Sequence, residues 1–400
     1  TNITIPSSIT RKGLSKLVNE LLSGDSSYKF DFLLNEQFIR GTVKSHIETY
    51  KLTTEDVLNV RYVLAVPKPN TSECFNSDEW ISCVSSLNED YGYVFGDYSG
   101  NLVIQNNDKE NLTQVSVHEG AIKCLAVSDV TGEQQKFYCV TGGKDQVLML
   151  SEAVLKGKKK GNAKLTPIGV GVAHNDSVEA VALNPSGETF VSASWSGELL
   201  LWSLDSDALE EAQAATKGSG KKKQKLELKE LKPKASLCEG GEFNITSLCW
   251  PVATSLYSAG YDHKISKWDM ERRVLAATFH CKNKVVSSID FSPLGNMLLS
   301  GHHDSAVRLW DERSSLIKPV QAFKSHDKWV SAVKWQGDST ELFVSTSYDG
   351  TIKMWDIRST IPIYTVKQHS DKVLCADWTK SLRILTGGAD CKVYEHSLKQ

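Results

Sequence analysis

Three stretches of this chain nearly repeat one another. SAGYDHKISKWD (258–269), SGHHDSAVRLWD (300–311) and STSYDGTIKMWD (345–356) share one plan. Each runs from small residues through a tight turn bearing aspartate to an alternating segment that closes on Trp-Asp. The aspartate precedes the tryptophan by six positions every time: Asp262 and Trp268, Asp304 and Trp310, Asp349 and Trp355. SASWSGELLLWS (192–203) keeps the frame with Ser196 in the turn and Trp202 at the close, and GDYSGNLVIQN (96–106) keeps it with Ser99 and Gln105. GGKDQVLMLS (142–151) and GGADCKVYEH (387–396) retain Asp145 and Asp390 but not the tryptophan. The turn positions are therefore 99, 145, 196, 262, 304, 349 and 390; five of the six intervals lie between 41 and 51, and the remaining one, of 66, holds an insertion. A second series runs in phase. His118, His174, His326 and His369 each stand nine residues before the end of an alternating run, and the same offset marks Ser77, Gly241 and Lys282. Both series count seven.

Within each unit, segments such as VSAVKW, LFVSTS and TIKMWD alternate apolar and polar residues, the two-residue period of a half-buried strand. Short strands at even spacing, split by Gly, Asn and Asp turns, build antiparallel sheets, and a repeat of this length ending in Trp-Asp is the WD40 blade. The expected fold is an all-β, seven-bladed WD40 β-propeller over 77–400, a ring that leaves few sheet edges open. The chain stops soon after Val393 and Tyr394, so the last blade lacks an outer strand. The stretch 67–76, a linker with Pro67, Pro69 and Asn70 followed by Cys74 and Phe75, is expected to supply it.

His326, Ser345 and Asp349 have the composition of a hydrolase triad. The same groups recur from blade to blade with a tryptophan added, however, and a catalytic centre does not come once per repeat. In blades of this type they form a buried relay from His through Ser to the turn Asp, capped by the indole, whose task is to satisfy buried polar atoms. The relay set read from the spacing is His118, His174, His326 and His369; Asp145, Asp262, Asp304, Asp349 and Asp390; and Trp202, Trp268, Trp310 and Trp355. No nucleotide-binding loop accompanies it, because GSGKKK (218–223) lacks both the spacing and the hydroxyl residue after lysine. The expectation is a protein that is not an enzyme and holds no cofactor. Nine cysteines, an odd number without a C-x-x-C pair, read as free thiols of a reducing compartment rather than a zinc site. A net charge of −2 argues against a general polyanion binder, and no run of about 18 apolar residues is present to cross a membrane.

Two insertions break the frame. KGKKKGNAK (156–164) contains five lysines, including Lys158, Lys159 and Lys160, and no acid. Residues 205–235 begin acidic and turn basic, with Lys221, Lys222, Lys223 and Lys225 in their centre. Gly, Ser and Lys without apolar periodicity describe surface loops. Three roles fit: a solvated loop, a nuclear-localisation signal, or a contact to RNA phosphates inside a larger particle; base stacking is not among them, for want of aromatics. Ahead of the propeller, residues 1–66 form a separate α+β unit. KGLSKLVNELL (12–22) places Leu14, Leu17, Val18, Leu21 and Leu22 on one helical stripe ended by Gly24. FDFLL (30–34) is a strand, 41–50 a helix or turn, and 57–66 a closing strand. The order matches a ubiquitin-like fold whose first strand is missing.

GLSKLVNELL, FDFLLNEQFIRGTV and LTTEDVLNVRY, followed by a propeller containing SHDKWVSAVKW (325–335), QHSDKVLCADW (368–378) and LTGGADCKVY (385–394), together resemble one eukaryotic family. It is the family of WD-repeat subunits of the Pescadillo–Bop (PeBoW) complex, factors in large ribosomal subunit assembly in the nucleolus and nucleoplasm. The resemblance covers nearly the whole chain. It implies a propeller that packs against the Bop-type WD40 subunit, with Pescadillo reached through the complex. It also implies an N-terminal domain gripped by the MIDAS domain of midasin, an AAA+ ATPase whose force removes the complex from the pre-60S particle. In that grip a glutamate completes the coordination of a Mg²⁺ ion that belongs to midasin. By motif this residue is Glu55 in LTTEDVLNV, with Asp56 as its rival and Arg40 as a flanking contact. A hard cation with an open position suits an exposed carboxylate, although 53–56 also reads as a helix cap or turn. Two other classes compete. A Notchless-like factor joins the same two modules but carries eight blades, and a WD40 substrate receptor of a ubiquitin ligase has no need of the N-terminal domain.

Overall fold

Each repeat closes into one antiparallel sheet whose strands, named a to d from the channel outward, alternate between two buried faces. The computed structural model describes residues 3–22, 28–35, 37–52, 57–87, 91–131, 135–155, 163–204, 228–240, 244–314, 318–378 and 382–398. Blade one comprises Ile81–Ser86, Tyr93–Asp97, Asn101–Gln105 and Asn111–Ser116. Blade two has Ile122–Val127, Lys136–Gly143, Leu148–Leu155 and Ala163–Gly171, and blade three Val178–Leu183, Thr189–Ser194, Glu198–Ser203 and Ala235–Glu239. Blade four is Ile245–Val252, Ser255–Gly260, Lys264–Asp269 and Val274–His280; blade five is Val286–Ser292, Met297–His302, Ala306–Asp311 and Gln321–Lys324. Blade six is Val330–Trp335, Leu342–Ser347, Ile352–Asp356 and Tyr364–Val366. Blade seven takes Val373–Trp378, Arg383–Gly388 and Lys392–Ser397 from the end of the chain and its strand d, Asn70–Asn76, from ahead of blade one. Val393 lies opposite Phe75 in that last pairing and Ser397 opposite Asn70.

The seven a strands wall a central channel, and side chains stitch neighbouring strands together at several seams. Ser247 Oγ accepts from Ile289 N at 3.0 Å, Ser288 Oγ from Val333 N at 3.2 Å, and Asp290 from Trp335 N at 2.7 Å. At the seam between blades seven and one, Asp377 Oδ2 accepts from both Ser86 N (2.8 Å) and Ser86 Oγ (2.6 Å). Burial pushes the Asp290 carboxyl up, and Lys334 at 3.5 Å opposes it. Between the sheets, Trp202, Trp310, Trp355, Phe190 and Phe343 are almost fully buried, which supplies the apolar burial that drives the ring together.

The insertion read as 205–235 is shorter than its composition indicates. Lys229–Leu231 adds to blade two as a fifth strand parallel to Ala163–Gly171, and Ala235 already belongs to blade three. Likewise Ala163 and Lys164, read as the end of the first insertion, open blade two's strand d. Lys158, Lys159, Lys160, Lys221, Lys222, Lys223 and Lys225 lie outside the described residues.

The N-terminal unit contains α1 (Arg11–Leu22), β1 (Phe30–Leu34), β2 (Gln37–Phe38), α2 (Val43–Tyr50) and β3 (Val60–Leu64), with sheet order β2-β1-β3. Thr42 caps α2 by accepting from Ser45 N, and Lys51 closes it in the left-handed conformation at φ 52°. The stripe on α1 is narrower than its pattern: Leu14 is buried, whereas Leu21 and Leu22 face solvent. Gly24 lies outside the described residues. All five residues of β1 are buried, because the strand is covered on both sides. Phe30, Phe32 and Leu34 meet Leu14, Ile39 and Val43 in the unit's own core. Leu33, together with Phe38, packs on Ile363 of blade six. Tyr364 Oη donates to Val66 O at 2.8 Å across the same seam.

Candidate docking surface

The loop leading from each strand d into the next strand a, together with the turn between strands b and c, forms one face of the ring. Its polar frame is clearest in blade six. His326 bonds Asp349 Oδ2 through Nδ1 at 2.9 Å and Ser345 Oγ through Nε2 at 2.8 Å, while Trp355 Nε1 donates to the same Ser345 Oγ at 2.8 Å. Ser345 accepts from the indole and so has its proton for His326, whose Nδ1–H in turn donates to Asp349. Burial raises the Asp349 carboxyl, but hydrogen bonds from His326, Thr351 and the Asp327 amide outweigh it and hold the group well below the usual carboxylate range. Ser345 is fully buried, so no substrate reaches its hydroxyl.

The other blades vary this arrangement. In blade two His118 bonds Asp145 (3.0 Å) and Thr141 (2.9 Å). In blade seven His369 bonds Asp390 (2.9 Å) and Thr386 (2.9 Å). His396 replaces the missing tryptophan, reaching Thr386 at 3.0 Å and, on the closing strand, Thr71 at 2.8 Å. Glycine is required here: a Cβ on Gly388 would lie 2.5 Å from His369 Nδ1 and 2.6 Å from Asp390 Oδ1. In blade three the turn residue is Ser196, and the acid comes from Glu198, which bonds His174 at 3.1 Å; Ser192 Oγ then links His174 (2.6 Å) to Trp202 (2.8 Å). Blade one uses Asp97, which accepts from Ser99 N and Asn101 N at 2.9 Å each. Spacing alone pointed to Ser99 and Ser196; an acid within two residues of each was the available signal.

The relay assigned to Asp262 and Asp304 does not form. The histidine position of blade five is Lys282, and that of blade four, Gly241, lies outside the described residues. Asp262 accepts instead from Lys264 N at 3.1 Å, and Asp304 holds Arg308 through two bonds of 3.0 and 2.6 Å. Trp268 and Trp310 still donate to Ser258 (2.9 Å) and Ser300 (2.8 Å). In blade five Ser300 meets His302 at 2.8 Å, and His302 Nδ1 lies 3.1 Å from Val285 O. Burial lowers the His302 pKa to about 3, so it is neutral.

Inside this frame a ring of side chains rims the channel. The residue before each turn position donates its N–H to the carbonyl of the residue just ahead of strand a: Tyr98 to Trp80, Trp195 to Ser177, Tyr261 to Asn244, His303 to Val285 and Tyr348 to Trp329. The result is an aromatic arc. Trp195 meets Tyr261 edge-on at 5.4 Å, Tyr261 meets His303 at 5.6 Å, and His303 stacks on Trp329 at 4.1 Å with 3° between the planes. Trp329 continues to Tyr348 at 5.9 Å. This rim was missed in the sequence, although an aromatic directly precedes positions 99, 196, 262, 304 and 349 once His303 is counted as one.

On the N-terminal unit, Glu55 and Asp56 lie outside the described residues. Arg40, expected beside a partner's contact, instead donates from Nη2 to Pro362 O of blade six at 3.0 Å and rests over Phe38. It belongs to the seam with the propeller. Among the described residues no cluster of His, Cys, Asp and Glu is arranged to hold a metal ion, and no helix is long and apolar enough to cross a membrane.

Residues 1–47 match the NLE (NUC135) domain family, and 165–203, 273–311, 317–356 and 360–395 match the WD domain, G-beta repeat family. Fold and face thus define an NLE-domain WD-repeat propeller protein. A ribosome biogenesis protein WDR12 homolog of Chlamydomonas reinhardtii is 32% identical over 416 residues, covering 98% of this chain and 93% of the relative. The corresponding homolog of Nematostella vectensis is 31% identical over 98% and 93%, and that of Oryza sativa subsp. japonica 29% over 98% and 91%. The chain belongs to the WDR12 family of ribosome biogenesis proteins.

Proposed function

We propose that this chain is a non-enzymatic scaffold of large ribosomal subunit biogenesis and pre-rRNA maturation, working in the nucleolus and nucleoplasm. Its propeller binds the Bop-type WD40 subunit and, through that subunit, joins Pescadillo on the pre-60S particle. Its NLE domain presents Glu55 to the MIDAS domain of midasin, where the carboxylate completes the coordination of midasin's Mg²⁺; Asp56 is the neighbouring acid that would compete for the role. ATP-driven force on this domain would then release the complex. The lysines at 158–160 and at 221–223 and 225 serve nuclear import or contact rRNA phosphates.

The observation that carries this reading is the coincidence of both modules, in one order and over nearly the full length, with relatives named for ribosome biogenesis. The sealed relays support a scaffold, since their serines lie beneath indoles rather than in a cleft. Affinity purification from nuclear extract tests the assignment: Pescadillo and Bop should co-purify, and their absence would overturn it. For Glu55, the wild-type chain should bind a midasin MIDAS fragment only with Mg²⁺ present. Glu55→Ala should abolish that binding; wild-type affinity in the variant would remove Glu55 from the contact.

A further inference from the structure

The strand that closes the ring, Asn70–Asn76, is held unequally along its length. Its later half is anchored on blade one. Gln105 Nε2 donates to Cys74 O at 3.1 Å, Lys109 Nζ donates to Glu73 O at 3.1 Å, and the Phe75 and Phe95 ring centres lie 4.6 Å apart. Cys74 is buried there with Ile81, Val84 and Val393. Ser77, the next residue of the chain, donates its N–H to Cys391 O at 2.8 Å. The first half, Asn70–Ser72, buries no apolar side chain. Asn70 is exposed, and Thr71 Oγ1 bonds His396 Nδ1 at 2.8 Å.

What precedes that weaker half is the NLE domain, through a connection too short to swing. Val66 is fixed at the joint of blades six and seven: its carbonyl accepts from Tyr364 Oη at 2.8 Å, and its side chain packs on a core that includes Met354, Trp378 and Leu398. Ala65 N donates to Lys29 O at 2.9 Å, which carries the domain's own sheet up to this point. Between Val66 and Asn70 stand Pro67, Lys68 and Pro69, so the two ends lie at most about 14 Å apart. Both prolines lock their own φ and hold the residue before them extended, and Pro69 is buried. The upper end of this strap is set by the docked domain: Leu33 and Phe38 pack on Ile363, Arg40 Nη2 donates to Pro362 O at 3.0 Å, and Ser359 Oγ donates to Gln37 Oε1 at 3.2 Å.

We propose that the NLE domain clamps the ring shut: its docking on blade six and the pairing of Asn70–Ser72 with Glu395–Ser397 are coupled through the strap. Docking sets Val66, and with it Asn70, close to the strand they must meet, so that pairing needs little further ordering of the backbone. With the domain lifted, the first half of the closing strand loses one of its two anchors and frays, while the later half stays on blade one. Such coupling is reciprocal, so fraying the strand loosens the domain by the same factor. The clamp is a property of the chain alone and holds whichever partner binds either domain. A partner that draws the NLE domain off blade six thereby slackens the propeller at the blade that closes it.

Hydrogen exchange of the full chain, read by mass spectrometry on short overlapping peptides, tests the clamp, with small-angle scattering to report whether the domain has left the propeller. Phe38→Asp breaks the seam from the domain's side and Ile363→Asp from the propeller's. Each should lift the domain and speed exchange in 70–76 and 392–397 about fivefold or more, most at residues 70 and 397. The strands of blades two and three should stay within about twofold of wild type. A further chain carries about eight Gly and Ser residues between Lys68 and Pro69, a flexible coil that leaves seam and strand their contacts. Its domain should stay docked, its closing strand should already exchange faster than in wild type, and adding Ile363→Asp should change that rate by less than about twofold. Where a substitution unfolds the domain, the chain with the insertion carries the test alone. Wild-type exchange in 70–76 and 392–397 would overturn the clamp, whether in a variant whose domain is lifted or in the chain with the insertion. So would equal acceleration by Ile363→Asp with and without the insertion, since the effect would then travel through blade six itself. A domain that neither substitution lifts would overturn it too, because the seam would then not be what holds the domain.

Discussion

At the scale of single residues, the frame of the propeller is a set of buried polar groups satisfied by one another. Removing one partner strands the others in a dry site, so His326→Ala or Asp349→Ala should cost on the order of 1–3 kcal/mol of stability, measured by chemical denaturation. Gly388→Ala should cost a similar amount, about 1–3 kcal/mol, by forcing His369 from Asp390. The histidines also set a pH dependence. Burial lowers His174 and His369, and lowers His302 and His396 to about 3. An unfolded histidine titrates near about 6.5. Below that pH the unfolded chain takes up protons that these sites refuse. Their contribution is therefore full above about pH 6.5 and is lost as the pH falls from there toward their depressed folded values. The melting temperature should drop between pH 7 and pH 5, and His302→Gln, which keeps a polar group against Ser300, should flatten the drop.

At the scale of elements, the repeat made the seven blades legible. Its Asp-to-Trp spacing is a property of the strand-turn-strand unit itself, the shortest piece that carries the pattern. Relay membership was less legible, since it depends on what the neighbouring loop offers. Asp304 has Arg308 four residues on and Lys282 at the histidine position, so it pairs along its own blade. Glu198 escaped because its longer side chain reaches from two residues past the turn to the place an aspartate would occupy. The fifth strand of blade two, Lys229–Leu231, was hidden inside a lysine-rich composition that gives no alternation. The outer strand of blade seven yields its own prediction. A chain beginning at residue 66 should retain a cooperative unfolding transition, whereas one beginning at 77 should lose it or aggregate, because Lys392–Ser397 then becomes an open edge. Differential scanning calorimetry with light scattering distinguishes the two.

At the scale of the whole molecule, the NLE domain and the propeller share a seam. Leu33 and Phe38 cover Ile363, Arg40 grips Pro362 O, and Tyr364 bonds Val66 O. Ile363→Asp should release the domain without unfolding either part: hydrogen exchange should quicken in β1 while the relays of blades two and three stay protected. No pattern in the sequence foretold this seam, because Leu33 and Phe38 look like ordinary core residues of a small domain until both faces of β1 are seen to be covered. The closing strand has a further consequence, for biosynthesis. Glu73 and its partner Lys392 are 319 residues apart. At about 5–20 residues per second, a ribosome needs on the order of 16–64 s to travel between them. Throughout that interval Asn70–Asn76 has been made without the strand it pairs with, and the seam between blades seven and one stays open. A nascent chain of this protein thus carries an unsatisfied strand for most of its synthesis, which makes it a natural client for chaperones that bind extended segments early.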